Sequence, residues 1–489
     1  MATNAPVTTP PRPGVGGTLD RFFEITHRGS TWAREIRGGV VTFVTMAYIV
    51  ILNPLILGGF SADQAAKDVA GNWLQNGQVG AVTALTAGVM TILFGTVARL
   101  PFAFAAGLGI NSFLAVNVVQ DVTWPEAMGL VVINGLVITI LAVTGLRSMI
   151  FTAVPAALKT AITVGIGLFI AFIGLVDSGF VRTSGTSSPP LQLGDSGSVA
   201  TLPTITFVIG LLVIGVLMAR KVRGAIFIGI VATTVIAIAL QAIFQVPPSN
   251  GQNLDDWNLN APVLPTQIVA LPDLSLVGQF SFGAFARIGV LSAVMLVFTL
   301  VFTNFFDAMG TMTGLAKAGD VADANGTFPR LRSALIVEGV GAVAGGATSS
   351  SSNTVFVESA SGIGEGARTG FASVVTGALF LLAMFFTPLT QVVPLEVAAS
   401  ALVIVGALMV SQISQIDWTD FSVALPVFLT IITMPLTYSI ANGIGVGFVS
   451  WVVVRAFAGK ARSISPLLWI VAAGFLVYFV RGPIEALLG

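Results

Sequence analysis

The sequence predicts an all-α polytopic membrane protein of fourteen spans, built as two inverted halves of seven. Three observations predict it. The 489 residues are 55% apolar and only 9% charged, with a mean hydropathy of +0.94, whereas soluble domains carry charge at about a quarter of their positions. Apolar stretches of about twenty residues, the length that crosses a hydrocarbon layer of roughly 30 Å, recur with short connections between them. Lys and Arg collect in alternate connections, as they do on the cytoplasmic side of membrane proteins.

Residues 1–35 are rich in Pro, Thr, Gly and Arg without an apolar core, so no cleavable leader is expected and the N-terminus is expected in the cytoplasm. Spans follow near 36–57, 79–98, 101–119, 126–146, 158–177, 203–219 and 224–244. Two long polar loops are expected outside, 178–202 and the Pro-, Asn- and Asp-rich stretch 245–286. The second follows the seventh span and is the natural joint between the halves. The remaining spans fall near 288–315, 331–347, 349–362, 368–389, 396–412, 421–435 and 439–457. An odd number of spans per half turns one half over relative to the other, a construction common in secondary transporters. The apolar stretch 466–480 is short for a span and is expected to lie in the interface. With the N-terminus inside, only Lys67, Arg182 and Arg287 of the 22 basic residues fall outside, Arg481 being undecided.

Lys plus Arg and Asp plus Glu balance at 22 each, so no basic excess points to nucleic acid. With no Cys and a single histidine, His27, disulfides, thiol catalysis, iron–sulfur ligation and any site needing two imidazoles are excluded. No cofactor or metal is expected. An intramembrane hydrolase with Ser349, Ser350, Ser351 or Ser352 as nucleophile would need a base, and neither His nor Lys lies at that depth. An enzyme is therefore not expected.

Two segments break the hydrophobic pattern at the third position of each half. One runs from Leu100 to Phe113 and contains Gly107, Gly109, Asn111 and Ser112; the other runs from Gly345 to Gly362 and contains Ser349 to Ser352, Asn353 and Glu358. Such polar density must face protein or a wet cavity, and paired interrupted segments are the sequence pointer to a transporter site. Tight packing through small residues is the competing reading, but it does not account for four serines followed by Asn353. Three acids sit well inside apolar spans: Asp307, Glu338 and Glu358. Intramembrane carboxylates are costly and usually functional. Asp307 and Glu358 are read so, Asn304 sharing a helix face with Asp307, whereas the isolated Glu338 is read as structural. No membrane Lys or Arg is expected to neutralise these acids, which makes them candidate proton carriers.

Several motifs, in order, now carry a resemblance: Glu35-Ile-Arg-Gly-Gly with Asn53-Pro54, Gly107-Leu-Gly-Ile-Asn-Ser-Phe, Phe306-Asp-Ala-Met-Gly-Thr, Val357-Glu-Ser-Ala-Ser-Gly-Ile, Glu365-Gly-Ala-Arg-Thr-Gly and Met434-Pro-Leu-Thr-Tyr. From about residue 20 to 460 the chain resembles the AzgA-like purine permeases of the nucleobase:cation symporter group, which also holds uracil and xanthine carriers. The resemblance implies a core domain of spans one to four and eight to eleven (36–146 and 288–390), and a gate domain of spans five to seven and twelve to fourteen (147–245 and 391–489, including the last apolar segment), with 246–287 as outside loop. It implies that spans three and ten are short antiparallel strands leading into half-helices, the base lying between them and span eight. It further implies that Glu358 hydrogen-bonds the base, that Asn111 is the matching segment-three asparagine, and that Asp307 is the second acid of an Asp-x-Phe-Asp pattern whose first acid is replaced by Asn304. An amide cannot titrate, so either Asp307 or Glu358 is left to carry the proton.

The expected function is proton-coupled uptake of a purine base such as adenine, guanine or hypoxanthine across the cytoplasmic membrane. Glu358, Asn304, Asn111 and Asn353 are the candidates for the edge of the base, and Phe104, Phe356 and Val357, with Phe102, for its faces. A sodium-coupled nucleobase symporter, a sulfate-type anion carrier of related fold and a passive channel are the alternatives. The expected partners are the base, the proton and the bilayer, a homodimer is compatible with the architecture, and nucleic acid is not expected.

Overall fold

The computed structural model describes residues 15–480 apart from 61–64, 148–152, 186–187, 196, 250–254, 266, 320–327 and 329. Arg481 and residues 1–14 of the N-terminal segment lie outside the described residues.

Backbone in hydrocarbon has to satisfy its own hydrogen bonds, which is why this composition folds into helices. After α1 (Val15–Phe23), α2 (Trp32–Met46) runs on into α3 (Ile49–Leu57) as one apolar rod. α4 (Asn76–Val97) follows. Span three is broken: a strand, β1 (Phe104–Ala106), leads into a short helix, α5 (Leu108–Phe113). α6 (Trp124–Thr144) opens on a reciprocal cap between Thr123 and Glu126 and closes at Gly145, whose φ of 78° turns the chain back. α7 (Ala156–Asp177), α8 (Leu202–Ala219) and α9 (Ala225–Phe244) complete the first half.

In the second half, α10 (Val290–Ala318) and α11 (Leu331–Ala347) lead to another broken segment, the strand β2 (Asn353–Val355) and the short helix α12 (Ser359–Gly364). α13 (Gly370–Ala383), α14 (Leu395–Val410), α15 (Phe421–Leu436), α16 (Ile440–Arg455) and α17 (Pro466–Phe479) follow. Among the described residues 10 helices are long and apolar enough to cross a membrane. The protein is a multi-pass membrane protein. α17, the apolar stretch expected at the interface, spans 14 residues and packs through Phe475 onto Phe298 and Phe448, with ring centroids 5.0 and 6.0 Å apart.

β1 and β2 pair antiparallel, with Phe104 opposite Val355, Ala105 opposite Thr354 and Ala106 opposite Asn353. They thereby satisfy backbone groups that a broken helix would leave bare. Around them, α4 packs on α13, α6 on α11, and α7 on α14 and α15. α8 packs on α9 and α14, and α15 on α16.

Close helix approach is set by glycine. At the α7–α14 crossing a Cβ on Gly406 would lie 2.4 Å from the Gly167 carbonyl oxygen, and one on Gly167 would lie 2.5 Å from the Met409 Cβ. Gly406→Val therefore overpacks the crossing by about 1–3 kcal/mol and should lower the unfolding midpoint of detergent-solubilised protein by a few degrees. Gly215→Ala is the control, because its new methyl meets nothing within 4 Å. Equal midpoints for the two variants would contradict the close approach.

Candidate functional site

The chain turns at the end of β2 instead of continuing as a strand. Phe356 extends the pairing by donating its N–H to the Ala103 carbonyl at 3.0 Å, and the next two residues form the corner before α12. That corner turns Phe356, Val357 and Glu358 onto the wall of a cavity of about 930 Å³. Val357 is 50% exposed to it between two buried elements. The Glu358 carboxylate accepts a hydrogen bond from the Tyr48 hydroxyl at 2.5 Å, Tyr48 lying where α2 passes into α3. Ser359 locks the corner: its hydroxyl donates to the Phe356 carbonyl at 2.7 Å and accepts from the Ala103 N–H at 3.0 Å.

α10 supplies the other acid. Thr303, Asp307 and Thr311 line the same cavity, spaced four apart so that they form one stripe. The exposed residues Lys221, Arg223 and Gln415 also line it, which places its mouth on the face carrying the 220–224 and 411–415 segments. At that mouth Arg223 pairs with Glu365 at 2.6 Å, and Arg37 reaches the same carboxylate at 3.0 Å.

Asp307, Phe356, Val357 and Glu358 of the candidate set thus meet on the cavity wall, while Asn304, Asn111, Asn353 and Phe104 are fully buried off it. Asn304 sits about 60° around the helix from Asp307, just past the wall, and neither of its amide atoms has a hydrogen-bond partner among the described residues. Asn111 donates to the Asn53 amide oxygen at 2.5 Å, and Asn53 donates to the Thr83 hydroxyl at 2.7 Å and to the Ser350 carbonyl at 3.1 Å. Asn353 donates to the Ser350 hydroxyl and the Ser351 carbonyl, both at 3.1 Å. These amides tie α3, α4, α5 and the serine run together. Phe104 packs on Phe94 with centroids 4.8 Å apart, and Phe102 packs on the same ring at 5.8 Å.

Tyr48, Thr303 and Thr311 were not in the sequence-derived set. A tyrosine inside an apolar span needs a hydrogen-bond partner, and positions four residues either side of an intramembrane acid share its face. Those two signals point to them. The expectation that no basic residue reaches the membrane acids is corrected. Arg147, expected in a cytoplasmic connection, is fully buried and ion-paired with the equally buried Glu338, because the Gly145 turn folds the end of α6 back onto α11. Glu338, read as structural, accordingly joins α6 to α11.

Acids on the wall of a cavity among membrane helices, backed by two broken segments, are the features of a membrane transporter. The chain belongs to the Permease family, whose model matches residues 33–446. It is 37% identical to the guanine/hypoxanthine permease PbuG of Bacillus subtilis over 464 residues, covering 94% of this chain and 99% of that one. To the adenine permease AdeP of Escherichia coli it is 34% identical over 468 residues, covering 95% and 96%. The fold resembles the transmembrane domain of a cyanobacterial bicarbonate transporter, BicA, at a TM-score of 0.56 and 16% identity, covering 85% of this chain and 97% of that one. Murine Slc26a9, an anion transporter in the inward-facing state, matches at 0.54 and 11%, covering 91% and 73%. The protein is a transporter and not an enzyme.

Asn111→Ala removes a donor from a buried amide and leaves Asn53 unsatisfied, a cost of about 1–3 kcal/mol. Thermal unfolding in detergent should show a lower midpoint for Asn111→Ala and for Asn53→Ala, with the double variant falling short of their sum. Full additivity would break the link between them.

Proposed function

We propose that this transporter takes up purine nucleobases such as adenine, guanine or hypoxanthine across the cytoplasmic membrane in symport with protons. The observation that carries the reading is the Glu358 carboxylate, held by Tyr48 on the wall of a cavity that Asp307 also lines. A purine presents ring and exocyclic N–H donors, and a fixed carboxylate is the acceptor that rewards them most in a low-dielectric site. Phe356 and Val357 offer apolar surface to a planar ring. The names of the two relatives, guanine/hypoxanthine permease and adenine permease, support the substrate class.

Proton coupling follows from charge. An ionised acid facing a dry cavity opposes passage of the surrounding helices, and carrying base and proton together cancels it. Asp307 titrates where Asn304 cannot, which divides the work between α10's two polar residues: Asn304 tunes which base is accepted, and Asp307 couples. The wall acids argue against a sulfate-type anion carrier, in spite of the fold shared with anion transporters. Sodium coupling is the competing cation reading.

The same proposal includes fourteen crossings in two inverted halves, with the N-terminus cytoplasmic. Packing supports it: α4 on α13 and α6 on α11 are exchanged by swapping the halves, as are α7 on α15 with α8 on α14, and α8 on α9 with α15 on α16. The β1–β2 pair and the α7–α14 crossing map onto themselves. The pattern also supports a core of spans one to four and eight to eleven against a gate of the rest, with the cavity between them.

The deciding experiment is uptake of radiolabelled hypoxanthine into proteoliposomes, with adenine, guanine, xanthine and uracil as competitors. Uptake should rise as outside pH falls from neutral, collapse with a protonophore and ignore sodium replacement. Dependence on sodium with no need for a proton gradient would reject the coupling. Glu358→Gln should weaken binding roughly 10- to 100-fold, the range set by about 1.5–3 kcal/mol for a hydrogen bond to a charged group, and unchanged affinity would remove Glu358 from the site. Asn304→Asp should alter the order of competitors, while Asp307→Asn should abolish uphill accumulation more than binding. Unaltered competitor order together with normal accumulation would end the division of labour.

A further inference from the structure

Glu365 follows α12, and α12 is seated closely on α2. A Cβ on Gly38 would lie 2.8 Å from the Gly362 carbonyl oxygen, and one on Gly362 would collide with the Thr42 hydroxyl. Arg37, also in α2, is thereby fixed relative to Glu365. Its Nε lies 3.0 Å from one oxygen of the carboxylate, and its guanidinium donates to the Glu365 carbonyl at 3.2 Å. The other carboxylate oxygen is taken by Arg223 at 2.6 Å. Arg223 belongs to a different part of the molecule, the 220–224 turn that joins α8 to α9. That turn rests on α2: a Cβ on Gly224 would lie 2.6 Å from a Val44 methyl, and α9 packs on α2 just beyond it.

The two ion pairs of Glu365 therefore differ in kind. Arg37 and Glu365 both stand on spans of the core, whereas Arg223 stands between two spans of the gate. Glu365 and Arg223 also line the cavity, together with Lys221 and Gln415, so the second pair crosses from gate to core at the mouth. A contact between two bodies that shift past each other is made in one conformer and lost in the other, and it biases the equilibrium by that difference. A contact inside one body is present in both conformers and biases nothing.

We propose that the Arg223–Glu365 ion pair is a latch at the cavity mouth: it holds the α8–α9 turn of the gate on the core and favours the conformer whose cavity opens to this face. The inference rests on the division of the spans into core and gate, and it does not depend on which substrate is carried. Arg37 keeps the Glu365 carboxylate turned toward the mouth, and Arg223 alone makes and breaks its contact as the gate moves.

The test is a distance measurement across the mouth. The chain has no cysteine of its own, so Ala33→Cys in α2 and Ser414→Cys after α14, both exposed positions, can carry a pair of spin labels. Double electron–electron resonance in lipid nanodiscs, at low salt and without substrate, should resolve two separations, one for each conformer. Arg223→Gln should lower the ratio of the conformer described here to the other about two- to five-fold, the range set by an ion pair with one exposed partner. Arg223 is 68% exposed and its replacement leaves Glu365 paired with Arg37, so the fold is not at risk. Arg223→Lys should keep most of the wild-type ratio, and Arg37→Gln should not lower it. Salt of about 1 M, where the screening length is about 3 Å, should bring the wild-type ratio down to that of Arg223→Gln and leave the variant where it was. A ratio unmoved by Arg223→Gln, or lowered as much by Arg37→Gln, overturns the latch alone. One unvarying separation in every protein, wild type included, overturns the division into core and gate and the latch with it.

Discussion

The structure depends on one backbone interaction, the three-residue pairing of β1 with β2. Helices satisfy their peptide groups internally, so a membrane segment can be broken only where something else supplies partners. Here each broken segment supplies them for the other. Residues from the two halves of the sequence are thereby held at one point, and the chain is free to turn there without exposing peptide groups to hydrocarbon. Both α5 and α12 start from that pair, and the corner that leaves β2 aims Glu358 into the cavity.

The polar side chains divide according to that geometry. Glu358, carried past β2 at the corner with the apolar Phe356 and Val357, lines the cavity. Those behind the pair, Asn53, Asn111, Asn353 and the serine run, close its hydrogen-bond requirements against α3 and α4. Position in the sequence draws no line between the two groups, since Asn353 behind the pair and Glu358 on the wall belong to one broken segment. The helices around them are brought close by small residues such as Gly167 and Gly406, which pack without polar expense.

The charges obey a similar partition. Glu358 has a tyrosine, Glu338 an arginine, and Glu365 two arginines at the cavity mouth, while Asp307 lies on the cavity wall. Among the described residues Asp307 has no ion-pair partner, in contrast to Glu338 and Glu365.

Much of this was legible in the sequence for simple physical reasons. Hydrocarbon thickness sets helix length, so the long apolar helices could be placed to within a few residues, and the density of Gly, Ser and Asn marked both broken segments. The cost of intramembrane charge singled out Asp307 and Glu358. Tertiary structure alone decided the rest. A helix position three residues from Asp307 gives no hint that Asn304 falls just past the edge of the wall, because that edge is drawn by neighbouring elements. Arg147 reads as a cytoplasmic residue by its place after a span, and only the turn at Gly145 brings it against Glu338. Tyr48 became a site residue through a partner 310 positions away. One-dimensional pattern reports what each segment needs, water, lipid or a partner, whereas the identity of the partner is a matter of which segments the fold brings into contact.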